Sequence, residues 1–448
     1  MGARMHALYT VAIFAVFVLA FPYFLYQAVR YRKYVGSLPQ RLGYLPLSFN
    51  LDADESIWIH AVSVGEVLTA RALVPELRAR YPRLRLFVST TTMTGQQVAR
   101  THLQDVDGVF FFPFDLAFII RRTLKLVRPR LFLIMETELW PNLLRECRRQ
   151  GIKTALVNGR ISARSYPRYK LARFFFREVL GDVDRFCMQG DESAHRIVEM
   201  GADPARVVVT GSLKFDSVEQ PSAVTAGRGQ HRVLRYFKVK PSRPVIVAAS
   251  TLKGEEDALL DAFRPVQRAW PDALLVIAPR KPERFGDVVD LVRNAGFRVA
   301  RRSDLPVDDE PSQDVVVLDT IGELPHLFPV ATAVFVGGSL VDWGGHNILE
   351  PAIHGKAILF GPHMQNFAEI AKAFVEGQGA IQVASAREFS EQLFKVLSDP
   401  VLRARLGAAA RALVEANRGA KTKTMEALAD VFPSDAPRGQ IRPFRIVH

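Results

Sequence analysis

The segment Thr332–Pro362 has the sequence TAVFVGGSLVDWGGHNILEPAIHGKAILFGP, which joins a strand, a glycine-rich loop, a helix start and a second strand. Residues 334–336 predict the end of a buried strand, and the glycines after them let the backbone turn sharply and approach a ligand. A helix is predicted to begin near Asn347, where free N–H groups and the helix dipole favour a phosphate. Glu350 in its first turn is placed to bind a ribose diol. The segment therefore predicts a nucleotide site, the alternative being an ordinary glycine-rich turn.

Length and composition narrow the class of protein. A chain of 448 residues is too long for one typical core and predicts two domains. Hydrophobic residues make up 48% of it and charged residues 23%, which excludes a disordered chain. The net charge of +13 favours an anionic partner such as nucleic acid, a membrane surface or a phosphorylated small molecule. Only Cys147 and Cys187 occur, so we expect no disulfide framework and a reducing cytoplasm.

The first residues of the chain predict a membrane anchor. Leu8–Val29 is an almost uninterrupted apolar run, about long enough to cross a bilayer, and no small-residue cleavage site follows it. Four basic residues come soon after the run and one precedes it: Arg30, Arg32, Lys33 and Arg41, against Arg4. The positive-inside rule then leaves the rest of the chain in the cytoplasm. We expect residues 1–35 to form an uncleaved transmembrane helix, the alternative being a buried helix of a soluble domain.

Beyond the anchor, short apolar strands alternate with amphipathic helices in two successive blocks, which is typical of parallel α/β domains. The strands predicted in the first block are 57–62, 84–89, 109–112, 131–135, 154–157, 185–188 and 207–209. Those of the second block are 244–249, 274–278, 315–318, 333–336, 357–360 and 381–383. The polar segment 217–243 predicts an inter-domain hinge. The sequence thus favours two doubly wound domains, 36–220 and 221–448, with ligands at the carboxyl ends of the strands.

Charged residues at strand ends are the candidates for chemistry. Glu66 follows a strand and Gly65 and opens the next helix, which suits a general base, although a first-turn Glu is also a favourable dipole partner. Glu136 ends an apolar strand, where a charge needs a task or a partner. Lys214 follows a strand and a Gly-Ser turn, where it would neutralise a phosphate or carboxylate, or pair with Glu136 or Asp216.

Two further patterns concern the partners of the protein. Basic and aromatic residues are mixed over 160–176, which favours equally a helix in a lipid headgroup layer and a buried helix with a basic stripe. Three Asp-x-Asp triplets begin at Asp52, Asp105 and Asp182, and none follows a clean apolar strand. We interpret them as turns and helix caps rather than as a metal site. No nucleic-acid-binding module is recognisable.

Several segments, taken together, resemble the Kdo transferases, which add 3-deoxy-D-manno-oct-2-ulosonic acid (Kdo) to lipid A precursors. They are WIHAVSVGE, STTTMTGQ, METELWPN, NGRISARS, TGSLKFD, IGELPHLF and GGHNILEP, in the family's order, and the resemblance runs from the anchor to about residue 420. It implies a GT-B glycosyltransferase with two tandem Rossmann-like domains, an acceptor domain and then a donor domain. It also implies CMP-Kdo as donor, lipid IVA as acceptor, no cofactor or metal, and a place at the bacterial inner membrane in lipopolysaccharide biosynthesis.

The resemblance also implies the roles of individual residues. It puts the catalytic base at Glu66 and the transition-state stabilisers at Glu136 and Lys214, with inversion in one displacement. The CMP contacts that it implies are Pro279, Arg280, Ile321, Gly322, Glu323, Asn347, Ile348, Leu349 and Glu350. Leu252 and Lys281 stand where many members of the family carry His, so any role of those histidines does not carry over.

Two other functions stay open at this point. A different GT-B enzyme, such as a lipid A disaccharide synthase or a nucleotide-sugar epimerase, would share the architecture but not the motifs quoted above. A non-catalytic, membrane-anchored nucleotide-binding protein would keep the segment GGHNILEP and would not need Glu66.

Overall fold

The computed structural model describes residues 9–16, 18–19, 22, 36–162, 165–218, 243–305 and 312–433. The chain divides into two compact units. The first comprises residues 1–217 together with 418–448, and the second comprises residues 218–417. The predicted hinge lies mostly in 219–242, outside the described residues.

The first unit contains a seven-stranded parallel sheet with the order β3-β2-β1-β4-β5-β6-β7. Its strands are β1 Ser56–His60, β2 Arg85–Thr90, β3 Gly108–Phe111, β4 Pro129–Met135, β5 Lys153–Gly159, β6 Arg185–Met188 and β7 Val207–Val209. The chain places β2 on one side of β1 and β4 on the other. The strand order therefore reverses between β1 and β4, and the crevice at such a switch point is where open α/β sheets bind ligands.

Helices cover both faces of this sheet. They are α1 Leu38–Arg41, α2 Val64–Ala70, α3 Val74–Arg80, α4 Met93–His102, α5 Ala117–Val127, α6 Pro141–Arg149, α7 Tyr166–Leu171, α8 Arg173–Gly181, α9 Asp191–Glu199 and α10 Leu213–Asp216. Alternate side chains of β1 enter different cores, because successive residues of a strand point to opposite faces. Trp58 packs in one cluster, while Ile57 and Ile59 pack in the other. Burial on both faces explains why these strands are continuous apolar runs.

The second unit repeats the plan with a seven-stranded parallel sheet of order β10-β11-β9-β8-β12-β13-β14. Its strands are β8 Val245–Thr251, β9 Leu274–Pro279, β10 Val299–Arg301, β11 Val315–Val317, β12 Ala333–Val336, β13 Ala357–Phe360 and β14 Ile381–Gln382. Its helices are α11 Glu255–Ala269, α12 Phe285–Asn294, α13 Leu324–Leu327, α14 Leu349–Ile353, α15 Ala368–Glu376, α16 Ala386–Ser398 and α17 Pro400–Ala416. Here the switch point lies between β8 and β12.

Short 3-10 turns complete both units, at Leu47–Asn50, Pro204–Arg206, Pro282–Arg284, Arg302–Asp304, Phe328–Val330 and Gln365–Phe367. Every strand predicted from an apolar run is present, with ends that differ by at most two residues. The strand β10 was not predicted. Helix α14 begins at Leu349, two residues after the position expected from the sequence.

The last helix, α18 Ala420–Val431, lies in the first unit, whereas the sequence analysis assigned the whole segment 221–448 to the second domain. Its apolar face explains the difference. Met425 and Leu428 pack into the core cluster that holds β1 residues Ile57 and Ile59. The amphipathic pattern of a helix predicts that one of its faces is buried, but it does not predict which core buries that face.

The amino-terminal segment is described only in part, since residues 1–8, 17, 20–21 and 23–35 of the predicted anchor lie outside the described residues. Residues 9–16 are helical. The Tyr9 hydroxyl donates to Asp115 Oδ2 at 2.9 Å, and the Thr10 hydroxyl donates to Asn142 Oδ1 at 2.9 Å. None of the helices in the described part of the chain combines the length and the apolar character that crossing a bilayer requires.

Candidate active site and donor site

Glu66 lies at the carboxyl edge of the first sheet, just after β1. Ser63 caps helix α2, and its hydroxyl donates to Glu66 Oε1 at 3.0 Å. The Val62 backbone N–H donates to Glu66 Oε2 at 2.8 Å. The spacing Ser-x-x-Glu favours a capping box, and here the Glu66 carboxylate closes a variant of it on the N–H of the residue before the cap. These contacts fix the carboxylate at the switch point between β1 and β4.

The environment of Glu66 tunes its acidity. Burial is the largest cause of a shift that raises the pKa of Glu66 from 4.5 to about 7, and the charges of Glu136 and Glu138 raise it further. The hydrogen bonds from Val62 and Ser63 act in the opposite direction and lower it. A carboxyl group that titrates near neutral pH is suited to accept a proton from a substrate. The residue therefore has both the position and the acidity of a general base.

Glu136 and Lys214 meet at the same edge of the sheet. Glu136 follows β4 with a φ of 58°, in the left-handed region that non-glycine residues seldom adopt, and its N–H donates to Val157 O. Lys214 Nζ lies 3.5 Å from Glu136 Oε1, and both side chains are largely buried. The ion pair with Glu136, one of the alternatives for Lys214, is therefore present. Backbone strain of this kind is common at functional sites.

Asn158 is a residue of this edge that the sequence analysis did not single out. It is the penultimate residue of β5, has a φ of 55° and is fully buried. Its Oδ1 accepts a hydrogen bond of 3.0 Å from the Leu213 N–H, at the start of the helix that carries Lys214. Asn158 thus fixes the backbone next to Lys214. The same sequence signal that identified Glu136, a polar residue close to the end of an apolar strand, is present at Asn158. The candidates for chemistry were limited to charged residues, and Asn carries no charge.

In the second unit, Pro279 and Arg280 come at the end of β9. The Arg280 N–H donates to Thr251 O at 2.9 Å, which fixes the backbone while the side chain stays exposed. Burial and the nearby Arg280 charge lower the pKa of His346 to about 4, so this imidazole is neutral. The sequence analysis did not select His346, although it lies in the segment GGHN. The two residues place a cation and a neutral ring together at the carboxyl edge.

The segment Asn347–Glu350 follows the loop after β12. Asn347 Oδ1 accepts from the Leu349 N–H at 3.0 Å, and Asn347 Nδ2 donates to Glu350 Oε1 at 3.1 Å. Burial raises the pKa of Glu350 above its ordinary value. Ile348 and Leu349 are fully buried, so any contact that they make with a ligand uses the backbone.

The third predicted CMP segment, Ile321–Glu323, lies in the loop after β11. The side chain of Ile321 is 87% exposed, and Gly322 has a φ of 90°. Glu323 Oε2 accepts from the Thr320 hydroxyl at 2.9 Å and lies 3.0 Å from Arg302 Nε. The Glu323 carboxylate is therefore already engaged within the protein, which leaves the backbone and Ile321 to contact a ligand.

The two departures from the family pattern have different surroundings. Leu252 is buried, and its N–H donates to Glu255. Lys281 Nζ lies 5.6 Å from the centre of the Trp343 ring, within the range of a cation–π contact. The apolar Leu252 therefore serves packing, whereas Lys281 keeps a cation beside the loop after β12.

The Asp-x-Asp triplets are tied to neighbouring basic residues. Asp54 pairs with Arg85 at 3.1 Å, Asp107 with Arg78 at 2.5 Å, and Asp184 with Lys153 at 3.3 Å. Within the described ranges, no group of three or more His, Cys, Asp or Glu side chains is arranged to hold a metal ion.

Comparison with known proteins decides the family. Residues 36–217 match the profile of the 3-deoxy-D-manno-octulosonic-acid transferase (kdotransferase) family. The chain is 34% identical over 402 residues to a 3-deoxy-D-manno-octulosonic acid transferase of Haemophilus influenzae, which covers 90% of this chain and 92% of that protein. This chain belongs to the 3-deoxy-D-manno-octulosonic acid transferase family. It is therefore an enzyme of the glycosyltransferase class, and the resemblance found in the sequence is confirmed.

Further relatives agree on family and fold. The Bordetella pertussis transferase of the same name is 36% identical over 386 residues, covering 84% of this chain and 87% of that protein. The crystal structure of a UDP-GlcNAc 2-epimerase from Neisseria meningitidis superposes with a TM-score of 0.57 at 14% identity, covering 84% of this chain and all of that one. A glycosyltransferase from Rickettsia africae gives a TM-score of 0.57 at 12% identity, with 85% and 100% covered. At these identities the two structures show the fold alone, two parallel-sheet α/β domains of the GT-B kind.

Proposed function

We propose that this Kdo transferase moves Kdo from CMP-Kdo to a hydroxyl group of lipid IVA in a single inverting displacement, with release of CMP, in lipopolysaccharide biosynthesis. The observation that carries the proposal is the capped, buried Glu66, whose pKa is raised to about 7 at the switch point of the first sheet. A first-turn Glu that served only as a dipole partner would have no need of a shifted pKa.

The chemistry assigns one task to each charged group. The acceptor hydroxyl oxygen attacks the anomeric carbon of Kdo, and Glu66 takes its proton. The bond between the anomeric carbon and the phosphate oxygen breaks, and its electron pair leaves with CMP. Negative charge therefore grows on the phosphate while positive charge develops on the sugar. Lys214 and Glu136 supply fixed charges of both signs that stabilise this separation in the transition state.

The second unit is proposed to bind CMP. Three of its loops carry the residues that the family pattern assigns to the nucleotide, and all three follow strands of one parallel sheet, β9, β11 and β12. The carboxyl ends of parallel strands lie at the same edge, where nucleotides bind in doubly wound folds. Arg280 offers a cation for the phosphate, and Glu350 offers a carboxylate for the ribose diol.

The first unit is proposed to bind the acceptor at the cytoplasmic side of the bacterial inner membrane. Its basic-aromatic segment forms helices α7 and α8, in which Leu171 is 92% exposed and Phe174 is 73% exposed. Apolar side chains exposed next to basic ones suit a lipid headgroup layer and so favour the first of the two predicted roles. The Phe175 ring lies 5.7 Å from the Tyr9 ring, which joins this surface to the proposed anchor, residues 1–35.

Two measurements test this proposal. CMP release from CMP-Kdo should require lipid IVA, and mass spectrometry of the product should show one or more added Kdo residues. Glu66→Gln should reduce transfer by about 10²- to 10⁴-fold, the usual contribution of a general base. It should leave CMP affinity unchanged, because Gln can still accept from the Val62 N–H and face the Ser63 hydroxyl.

Glu388→Gln is the matched control, because Glu388 forms a capping box with Ser385 on the exposed start of α16. It makes the same chemical change and should leave transfer unchanged. Near-normal transfer by Glu66→Gln would instead assign Glu66 to the helix start, and the base would be sought at Glu136 or Glu138. Deleting residues 1–35 should move the enzyme toward the soluble fraction while it retains turnover on detergent-solubilised acceptor.

A further inference from the structure

A buried carboxylate lies at the switch point of the second sheet. Glu255 is in the first turn of α11, directly after the loop that follows β8, and its side chain is fully buried. Four backbone N–H groups donate to it. Leu252 and Gly338 donate to Oε2 at 2.9 and 2.7 Å, and Ser339 and Leu340 donate to Oε1, each at 2.9 Å.

Three of those donors belong to the glycine-rich loop after β12. Successive backbone N–H groups in such a loop form the concave anion site that usually holds a ligand phosphate in α/β folds. Here the protein's own carboxylate occupies that site. A phosphate therefore cannot use the amides of Gly338, Ser339 and Leu340 unless it displaces Glu255.

The same contacts extend to the residues proposed to bind CMP. Gly338, whose N–H is held by Glu255, accepts a hydrogen bond of 2.7 Å from the Gly345 N–H through its own carbonyl, just before His346 and Asn347. On the other side, Thr251 precedes Leu252, and its carbonyl accepts the Arg280 N–H at 2.9 Å. Two hydrogen bonds in sequence thus connect Glu255 to the segment that begins at Gly345, and two connect it to Arg280.

Close packing allows little freedom around this anchor. A Cβ atom on Gly337 would lie 2.5 Å from Ser250 O, so only glycine lets the loop after β12 approach the end of β8. The Ser339 hydroxyl donates to Val336 O at 2.5 Å and accepts from the Gly361 N–H at 2.8 Å. These contacts join the end of β8 to the loops after β12 and β13, and the Glu255 carboxylate adds a link between the loops after β8 and β12.

We propose that Glu255 is a positioning residue of the donor site. It acts as a built-in anion that holds the loops after β8 and β12 together and directs the donor phosphate away from the amides of Gly338–Leu340, toward Arg280 and the segment 345–350. The identity of the donor rests on the function proposed above. The position of the loop after β12 is independent of that function, and it can be measured without any ligand.

Hydrogen exchange of the folded enzyme tests the anchor directly. In Glu255→Gln one carboxylate oxygen becomes an NH2 group, which cannot accept from a backbone N–H. The loop amides that face this group, either Gly338 or the pair Ser339 and Leu340, should therefore lose protection by tenfold or more. Glu256→Gln is the matched control. Glu256 is the adjacent buried carboxylate, but it pairs with Arg284 at 2.6 Å, so its replacement should leave those amides protected.

Calorimetry with CMP and steady-state kinetics test the positioning role. Glu255→Gln should weaken CMP binding and raise the donor KM by about tenfold, with kcat within a few-fold of wild type, because binding geometry and not proton transfer is disturbed. Glu255→Ala leaves an anion-sized cavity lined by four N–H groups, so added acetate should restore CMP affinity to this variant and not affect wild type. If Glu255→Gln fails to fold, Glu255→Asp provides the same readouts with the charge retained.

Three results would overturn the inference. One is unchanged protection of residues 338–340 in the folded variants, and another is lost protection with undiminished CMP affinity. The third is an alanine variant with weakened CMP affinity that acetate does not improve. A wild-type enzyme that binds no CMP would contradict the proposed function, which distinguishes that failure from the failure of Glu255 alone.

Discussion

Lys214 Nζ lies 3.5 Å from Glu136 Oε1, which connects the short helix after β7 to the end of β4, three strands away in the sheet. Both side chains are largely shielded from solvent, so the attraction between their charges is only weakly screened. Glu136 nevertheless raises the pKa of the neighbouring Glu66. Glu66, Glu136 and Lys214 are therefore coupled electrostatically, and a change at Glu136 should alter the pKa of Glu66.

The pH dependence of transfer should report that coupling. Glu66 must be ionised to accept a proton, so kcat/KM should rise with pH and level off above about 7, the pKa of this group. Glu136→Gln removes a negative neighbour, which makes the carboxylate form of Glu66 easier to reach, and should move this limb to lower pH. Glu138→Gln should move it less, because the Glu138 charge is the smaller cause. A limb that stays in place in both variants would mean that another group controls it.

The stability of Glu66→Gln should depend on pH in a defined direction. The pKa of Glu66 is raised in the folded state from 4.5 to about 7, so the folded protein binds this proton more tightly than the unfolded chain does. The contribution of the group to stability is fully present below pH 4.5 and is lost as the pH rises to about 7. A Gln side chain does not titrate, so its contribution to stability does not fall over this pH range. The Tm of Glu66→Gln relative to wild type should therefore be higher at pH 8 than at pH 5, measured by calorimetry, and an equal difference at both pH values would contradict the assigned pKa.

The donor site should respond to single truncations in the second unit. Arg280→Ala and Glu350→Ala should each weaken CMP binding by roughly 1–3 kcal/mol, as expected for lost charge-assisted hydrogen bonds. Arg387→Ala and Glu391→Ala are matched controls, since these residues form an exposed ion pair on α16. Calorimetry with CMP makes the comparison. If both site variants bind CMP as tightly as the controls do, the nucleotide binds elsewhere.

Much of the fold follows from the sequence because a parallel strand buried on both faces must be a nearly continuous apolar run. The strand β10, Val299–Arg301, lacks that signature. It is a three-residue edge strand that ends in an arginine and is only partly buried, so its residues do not resemble those of a central strand. The core that helix α18 joins depends on tertiary contacts that a periodic pattern does not specify.

The positions of Glu66, Glu136 and Lys214 at one edge of the first sheet were predictable, because each charge follows soon after an apolar strand. Glu255 escaped detection because an acidic residue in the first turn of a helix is common and needs no special partner. Its significance comes from loop amides 83 to 85 residues further along the chain, which only the folded structure brings to it. Asn158 differs, because its polar side chain near a strand end was visible in the sequence, whereas its partner Leu213, 55 residues away, was not.

The contact between α10 and α18 should couple the carboxyl-terminal helix to Lys214. Asp216 lies two residues after Lys214, and its carboxylate accepts the N–H groups of Gly419 and Lys421 at 2.9 and 2.6 Å. Asp216→Ala leaves both donors unpaired and should lower stability by about 1–3 kcal/mol, with a smaller loss for Asp216→Asn, which keeps one acceptor. Because α10 carries Lys214, kcat should fall in the same order while CMP affinity in the second unit stays unchanged. Asp203→Ala, which removes an exposed cap on the Ala205 N–H, is the control for loss of a capping aspartate. An Asp216→Ala enzyme with the Tm and kcat of that control would show that the carboxyl-terminal helix neither stabilises the first unit through this contact nor positions Lys214.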